Sequence, residues 1–286
     1  MLVEIECFVD SSPKRYVSFY LKRELPLERT LAVKGGRKIR MNGNRVDVVV
    51  LTKNSERMLE ECLSSVFETV PVNRLIVVDG YSTDGTLEIL RAFQEKHGNV
   101  VVVEDRGTRG SARLKGIGMV KTSWFVFVDS DVTLCKDWFR KANSYVKNDV
   151  GAVWGIEVWD GIQNKAILRL FLKITRRIFE MRGGTHDLLV RREAIEDIEI
   201  PENLHVFEDA FIKEWIVKKG YKIVAAYDPY CIHFRPATVW TFKGSLDIIV
   251  DAFRFGSVRK MPKLFVAYGF YTMYVVYRNI FQRKLT

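Results

Sequence analysis

The sequence predicts an α/β fold in which a mostly parallel sheet is flanked by helices on both faces. Three observations lead to this prediction. Short valine-rich segments alternate with segments of helical spacing, an order typical of parallel sheets. The strand segments contain few polar residues, as expected for strands buried on both faces. Several of them end in a carboxylate or hydroxyl residue, and the carboxyl ends of parallel strands are where such sheets bind ligands.

The chain is expected to open with a small β appendage over residues 1–45. Strand-like alternation occurs there, and Asn42-Gly43 is typical of a hairpin turn. The core then begins with a strand over 46–52. A helix over 56–70 follows, because its apolar residues recur at helical spacing.

Further strands and helices follow in alternation. The strands are expected over 75–79, 100–104 and 124–129. Residues 80–86 lead into a helix over 87–97, which their serine and threonine side chains can cap. The basic, glycine-containing segment 106–113 is expected to be a turn that leads into the next helix.

The most informative segment is the strand over 124–129, which ends in Asp129-Ser130-Asp131. Carboxylates are rarely tolerated inside a buried strand, so both should lie just beyond its carboxyl end. There they can bind a hard divalent cation, which prefers oxygen ligands and often bridges to phosphates. A polar turn without a ligand is the alternative, since Asp-Ser-Asp is common in loops.

Other strand ends add groups suited to a nucleotide. Thr52 and Asp79 can bond to a base or ribose, and segment 106–113 offers glycines and arginines for phosphate. Each has a plainer alternative. Asp79 can cap a helix, and Arg109 and Arg113 can lie on a solvated helix face.

The composition limits the classes of partner and the cellular compartment that we expect for this protein. The net charge of +10 suits phosphate-bearing ligands and anionic membranes. Because the sequence lacks RNA-binding, zinc-finger and recognition-helix patterns, no nucleic-acid partner is expected. Four separated cysteines without a CxxC are expected to be reduced thiols. With no signal-peptide pattern at Met1, the expected location is cytoplasmic, and a peripheral position on the cytoplasmic membrane face stays open.

In combination, these segments resemble family 2 glycosyltransferases of the GT-A fold. The resemblance is carried by residues 48–56, 77–86, 110–113 and 129–131, and covers roughly residues 46–235. It implies a nucleotide-sugar donor and a divalent metal, Mn²⁺ or Mg²⁺, at Asp-x-Asp. It also divides the core (46–237) into a nucleotide-binding half (46–131) and an acceptor and catalytic half (132–237).

The resemblance implies a role for particular residues by their position. The nucleotide-sugar would be contacted by Thr52, Glu56, Asp79, Arg113 and Asp129. The metal would be held by Asp129, Asp131 and His233. Leu114 and Gly80 depart from the family, which more commonly has asparagine and aspartate at these positions.

The second half of the core is expected to supply the acceptor and catalytic groups. Gly183, Gly184 and His186 resemble the family's glycine-rich segment beneath the donor sugar. Glu208-Asp209 resembles its Glu-Asp helix, which implies Asp209 as general base. A turn histidine without a catalytic role, and a carboxylate that only complements a helix dipole, are the alternatives.

Two basic segments leave membrane contact open. Residues 165–181 read as a basic amphipathic helix, and 262–282 lie in an aromatic, basic helical tail over 238–286. Both patterns fit the interface of a membrane, and both fit helices packed against the protein body. The apolar run in the tail is shorter than the roughly 20 residues that a spanning helix needs.

These observations favour a nonprocessive, inverting glycosyltransferase with a glycan or lipid-linked acceptor. The Gln-x-x-Arg-Trp motif of processive synthases is absent from the sequence. A polyprenyl-phosphate sugar synthase and a noncatalytic nucleotide-sugar-binding module remain alternatives. Nucleotidyl transfer is disfavoured, because the segment after the first strand has no glycine-rich loop.

Overall fold

The computed structural model describes residues 45–159, 184–201, 204 and 208–234. Several predicted features lie outside the described residues. These are the appendage up to residue 44, the helix over 165–181, Gly183 and the tail from 238 to 286 with its segment 262–282. In the part that is described, no helix is long and apolar enough to cross a membrane.

One eight-stranded sheet forms the centre of the described chain. Its strands are β1 (Val46–Thr52), β2 (Val72–Asp79), β3 (Val100–Glu104), β4 (Trp124–Asp129), β5 (Val132–Leu134), β6 (Val150–Trp159), β7 (Asp187–Arg191) and β8 (Lys222–His233). The helices are α1 (Leu59–Thr69), α2 (Thr86–His97), α3 (Arg109–Met119), α4 (Trp138–Asn143) and α5 (Glu208–Lys218), with a 3-10 turn at Arg192–Ala194. The strand order is β3-β2-β1-β4-β7-β6-β8-β5.

The predicted α/β sheet is confirmed, with a parallel half and a mixed half. Strands β3, β2, β1 and β4 are parallel neighbours. Strand β7 then runs antiparallel to both β4 and β6, whereas β8 runs parallel to β6 and antiparallel to β5. Four of the seven pairings between described strands are therefore parallel.

The sheet is buried on both faces because its side chains alternate between two cores. Val48 and Val50 belong to one core, which includes apolar residues of α1, α2 and α4. Val49 and Phe127 belong to the other, which includes residues of α3 and α5. This arrangement explains why β1 and β4 are apolar at successive positions instead of alternating with polar residues.

The register brings polar strand ends to one edge. Thr52 pairs with Asp79 across β1 and β2, and Leu51 pairs with Asp129 across β1 and β4. Because β7 is antiparallel to β4, its first residue, Asp187, pairs with Val128 near the end of β4. The last residues of β6 and β8 reach the same edge, since β8 ends beside the start of β5.

Two predictions about helix starts are wrong. Segment 106–113 is not a turn throughout, because α3 begins at Arg109, with Thr108 Oγ1 accepting a bond from Ser111 N. Serine and threonine side chains do not cap α2. Instead, Glu56 Oε2 accepts from the backbone of Gly85 at 2.7 Å, and Asp84 Oδ1 accepts from Thr86 N. Carboxylates suit this helix start better, because they also complement its dipole.

Candidate active site

The predicted Asp-x-Asp motif lies at the junction between β4 and β5. Asp129 is the last residue of β4, and Asp131 directly precedes β5. Ser130 lies between them, and its hydroxyl is 2.9 Å from the hydroxyl of Ser55 in the loop after β1. The loop after β4 is thus linked to the loop after β1.

Arg113 anchors Asp129 from the neighbouring helix. Its Nη2 donates to Asp129 Oδ1 at 2.7 Å and to Thr185 Oγ1 at 2.6 Å. Only 3% of Arg113 is exposed, so the solvated-face alternative is wrong for this residue, although Arg109 is exposed. Burial raises the pKa of Asp129, but Arg113 and His233 outweigh it, and the pKa lies below its ordinary value.

Arg113 also keeps unused hydrogen-bond donors. Its Nε and Nη1 are buried and have no hydrogen-bond partner among the described residues. A guanidinium has five donors in a fixed plane, and leaving them unpaired away from water is costly. The donor set therefore suits an anionic or carbonyl-bearing ligand.

Asp131 and His233 form the second predicted pair. Asp131 Oδ1 lies 3.0 Å from His233 Nε2, and His233 is buried while Asp131 is partly exposed. Bonds of about 2.1 Å to an octahedral cation place neighbouring ligand atoms roughly 3.0 Å apart. The spacing suits a divalent ion, and the mixed oxygen and nitrogen donors suit Mn²⁺ better than Mg²⁺, which prefers oxygen ligands.

Glu157 of β6 belongs to the same cluster and was not predicted. Its Oε1 is 3.2 Å from His233 Nδ1, and its Oε2 is 4.0 Å from His186 Nε2. A signal was present in the sequence, because Glu157 is the only charged residue in β6. Its partners could not be inferred, since they lie on β8 and just before β7.

His186 is buried beside Asp187 and Cys231. His186 Nδ1 lies 2.6 Å from Asp187 Oδ1 and 3.4 Å from Cys231 Sγ. Residues of these types can hold a metal, but 2.6 Å is shorter than the spacing of two ligands on one ion. We interpret the contact as a close charge pair, because Asp187 Oδ1 has no hydrogen-bond partner of acceptable geometry among the described residues. Burial lowers the pKa of His186, but the Asp187 carboxylate outweighs it and raises the pKa.

Two glycines allow this close packing. A Cβ atom at Gly155 would lie 1.9 Å from Asp187 Oδ2, which accepts a bond from Trp138 Nε1. A Cβ at Gly184 would lie 2.4 Å from His186 Nε2. The position of His186 therefore requires a glycine at residue 184. The predicted contact of Gly184 with a sugar stays a prediction.

Reduced thiols were predicted, and three of the four cysteines bear this out. Cys62, Cys135 and Cys231 are free and buried, and Cys7 lies outside the described residues. Burial raises the pKa of Cys231 well above its ordinary value. This thiol therefore stays protonated beside the carboxylates that surround it.

Thr52 and Asp79 meet as predicted, but they bond to each other. Asp79 is fully buried and accepts from Thr52 Oγ1 at 2.7 Å, Ser82 Oγ at 2.6 Å and Ser82 N at 2.8 Å. These three bonds and its complete burial leave Asp79 no exposed acceptor position in the structure. Asp79 does not cap α2, whereas Glu56 does. The predicted contacts of these three residues with a nucleotide stay predictions.

Tyr81 is an exposed aromatic residue in the loop after β2. Its φ is 58°, a left-handed conformation that is costly for an aromatic residue. Its ring is 40% exposed, and the guanidinium of Arg106 lies 4.2 Å from the ring centroid. The sequence signal was an aromatic residue among the small and polar residues of 80–86, but the partnership with Arg106 required the structure.

Glu208 and Asp209 begin α5. Glu208 is buried, and burial together with the charge of Asp209 raises its pKa to about 7, against the opposing effect of Arg113 and Arg109. Asp209 is partly exposed, and its Oδ1 accepts from Ala210 N at 2.7 Å. The helix start favours both charges. The more exposed Asp209 is better placed to meet an acceptor.

Comparisons with known proteins identify the family and the fold. The Glycosyl transferase family 2 model matches residues 47–190, half of the chain. A poly(ribitol-phosphate) beta-glucosyltransferase of Bacillus spizizenii is 39% identical over 244 residues, covering 77% of this chain and 38% of that protein. Glycosyltransferase AglE of Haloferax volcanii is 25% identical over 207 residues, 66% of each chain. The chain thus spans less than two thirds of both relatives.

Solved structures share the fold. The mannosyltransferase PcManGT from Pyrobaculum calidifontis, in complex with GDP-Man and Mn²⁺, superimposes with a TM-score of 0.59 and 21% identity, covering 74% of this chain and 65% of that one. S. aureus TarS 1–349 in complex with UDP-GlcNAc gives a TM-score of 0.55 and 20% identity, covering 73% and 66%. At this identity, the likeness concerns the fold.

Proposed function

This chain belongs to the family 2 glycosyltransferases, and we propose that it moves one sugar residue from a nucleotide-sugar donor to a hydroxyl group of an acceptor. The reaction is nonprocessive and inverts the anomeric centre, as the family resemblance implies. The observation that carries the proposal is the convergence of a buried arginine with unused donors, two aspartates and a histidine at one sheet edge.

The donor lies along this edge, with its base toward β2 and its diphosphate toward β4. Tyr81 offers an exposed aromatic residue on which a base can stack. Nε and Nη1 of Arg113 donate hydrogen bonds to the diphosphate or the ribose. These bonds give partners to two buried donors that have none among the described residues. PcManGT was solved with GDP-Man and TarS with UDP-GlcNAc, and a donor of that class fits this arrangement.

Asp129, Asp131 and His233 would hold a divalent metal. A bound Mn²⁺ or Mg²⁺ would supply positive charge against the charge that develops on the leaving diphosphate. The chain's own groups share this task, because Arg113 places positive charge beside Asp129. The low pKa of Asp129 keeps this ligand ionised at neutral pH.

Asp209 acts as general base. It removes the proton from the acceptor hydroxyl as that oxygen attacks the anomeric carbon, and the bond from this carbon to the diphosphate oxygen breaks. Glu208 is buried beside it and has a pKa of about 7, so it is only partly ionised at neutral pH, near the charges of Arg113 and Arg109. We propose a glycan or lipid-linked acceptor that carries phosphate, because the net charge is +10 and one relative is named for a poly(ribitol-phosphate).

The test separates donor binding from transfer. Thermal shifts with UDP-glucose, UDP-N-acetylglucosamine and GDP-mannose, with and without Mn²⁺, identify the donor, since a ligand of the native state raises apparent stability. Asp209→Asn should keep that shift and abolish transfer to poly(ribitol phosphate) and donor hydrolysis. Glu193→Gln, at an exposed glutamate in the 3-10 turn, is the control and should retain both. Full activity in Asp209→Asn would refute the assignment of the base.

A further inference from the structure

We propose that Arg109 binds a phosphate group of the acceptor, so that this residue determines the preference for a phosphate-bearing acceptor. Arg109 is the first residue of α3, and its side chain is exposed. This inference rests on the proposed function, because it identifies the residue that recognises the anionic acceptor proposed there. Neither the net charge nor the resemblance to the family indicates which basic residue does so.

Arg109 continues toward solvent the face of α3 that carries Arg113. Residues four apart lie on the same side of a helix, about 6 Å apart along its axis. Arg113 is 3% exposed, and its Nε and Nη1 have no hydrogen-bond partner among the described residues. Because unpaired buried donors are costly, this face of α3 is suited to a ligand rich in acceptor oxygens. Arg109 places a second guanidinium at the open end of the same face.

The first turn of α3 lies beside the chain that leads into α5. A Cβ atom added at Gly110 would lie 3.2 Å from the backbone oxygen of Leu204, shortly before α5 begins. The positive charge of Arg109 also reaches Glu208, where it opposes the effect of burial on the pKa of that carboxyl. Glu208 directly precedes Asp209, the proposed general base. Arg109 therefore lies near the side of the site at which the acceptor is expected.

The guanidinium of Arg109 is available to a ligand. It forms no hydrogen bond and no ion pair with any residue that the structure describes. The first turns of α1, α2 and α5 contain acidic residues, which complement the helix dipole, whereas the first turn of α3 contains none. The positive end of α3 and the guanidinium therefore attract an anion together. A guanidinium can bind two phosphate oxygens through parallel hydrogen bonds, so it suits a phosphate better than a neutral hydroxyl.

The donor diphosphate and the acceptor phosphate are the two anions that the proposed function brings to this edge of the sheet. Arg113 is enclosed beside Asp129, which suits the diphosphate of a donor held along the strand ends. Arg109 is exposed beside the start of α5, which suits a group on a large acceptor that approaches from solvent. Arg109 is therefore assigned to the acceptor, and the two sources of phosphate are separated by experiment.

The first measurement tests the donor alone. UDP or GDP, whichever raises the apparent stability of the wild type, is titrated by calorimetry in the presence of Mn²⁺ and without acceptor. The affinity should be the same in the wild type and in Arg109→Ala, because no donor group is assigned to Arg109. A loss of tenfold or more in Arg109→Ala would place Arg109 on the donor diphosphate and overturn its assignment to the acceptor.

The second measurement is the direct binding of short, end-labelled poly(ribitol phosphate) chains, followed by fluorescence anisotropy without donor. Arg109→Ala should weaken this binding about tenfold, as expected when a hydrogen bond to a charged group is lost. Arg109→Lys should recover part of the loss, since it keeps the charge but not the two parallel bonds. Arg91→Ala is the control and should bind as the wild type does, because Arg91 is exposed on α2 at the other face of the sheet.

The outcomes separate this inference from the proposed function. If Arg109→Ala binds the chains as tightly as the wild type, or if the wild type does not bind them, the inference is overturned. An equal loss in Arg91→Ala would show that only net charge matters, which also overturns it. If the wild type binds neither UDP nor GDP, or never transfers a sugar, the proposed function fails. The binding of the poly(ribitol phosphate) chains then still decides whether Arg109 recognises phosphate.

Discussion

Glu208 carries a measurable electrostatic cost that depends on pH. This carboxyl is 5% exposed at the start of α5, and its pKa rises from an ordinary 4.5 to about 7. Burial is the largest cause, followed by the charge of Asp209, and both disfavour the ionised form. Replacing Glu208 with glutamine keeps the shape and removes the titration.

The sign and size follow from proton linkage. Because the folded protein binds the Glu208 proton more tightly than the unfolded chain does, the free energy of unfolding falls as pH rises from 4.5 to about 7. Each pKa unit corresponds to about 1.4 kcal/mol, so the whole interval corresponds to roughly 3 kcal/mol. Relative to the wild type, Glu208→Gln should therefore gain about 3 kcal/mol between pH 4.5 and pH 8.

Urea denaturation of both proteins across this range measures the effect. Other titrating groups are common to the two chains, so the difference between the curves isolates Glu208. Glu60→Gln is the matched control, because Glu60 also lies in the first turn of its helix but is exposed. The control should show no comparable gain. A Glu208→Gln difference that is constant from pH 4.5 to pH 8 would show that Arg113 and Arg109 fully offset the burial of this charge.

Two further predictions concern the packing around Gly155 and the stacking of a nucleobase on Tyr81. Gly155→Ala should lower the free energy of unfolding by about 1–3 kcal/mol, because its Cβ would collide with Asp187. Gly118→Ala is the control and should cause no such loss, because no atom lies within 4 Å of the added Cβ. Urea denaturation of the two variants measures the difference. Tyr81→Ala should weaken the binding of a nucleoside diphosphate about tenfold, because the stacking contact is lost. Tyr81→Phe keeps the ring and should bind as the wild type does. Isothermal titration calorimetry measures both affinities, and equal values for the two variants would contradict a stacking role.

The sequence was sufficient for the parallel half of the sheet. The bounds of β1, β3 and β4 agree with those predicted, because each is rich in consecutive apolar residues and ends at a polar one. In β4 the apolar run is buried throughout, as expected for a strand covered on both faces. The placement of Asp129 and Asp131 followed from the same pattern. Arg113 could be proposed by position, but its burial against Phe127 could not, since a lone arginine in a basic helix reads as a solvated residue.

The mixed half depends on pairings that leave no local pattern. Glu157 reaches His233 because β6 and β8 pair with two irregularities, one of them beside Gly155. His186 reaches the same cluster because β7 is inserted between β4 and β6. The caps of α2 come from Asp84 and from Glu56 in another loop, so the nearby hydroxyl residues were misleading. These contacts are set by chain topology rather than by side-chain spacing.

The position of β8 has a consequence for how the protein is made. This strand lies between β5 and β6, and it brings His233 to Asp131 from 102 residues further along the chain (233 − 131). A nascent chain can complete β1 to β4 early, but β5 and β6 must wait with open edges until β8 emerges. Such non-local closure is slow and leaves edges exposed to aggregation. The proposed metal site would therefore be among the last parts of the described chain to form.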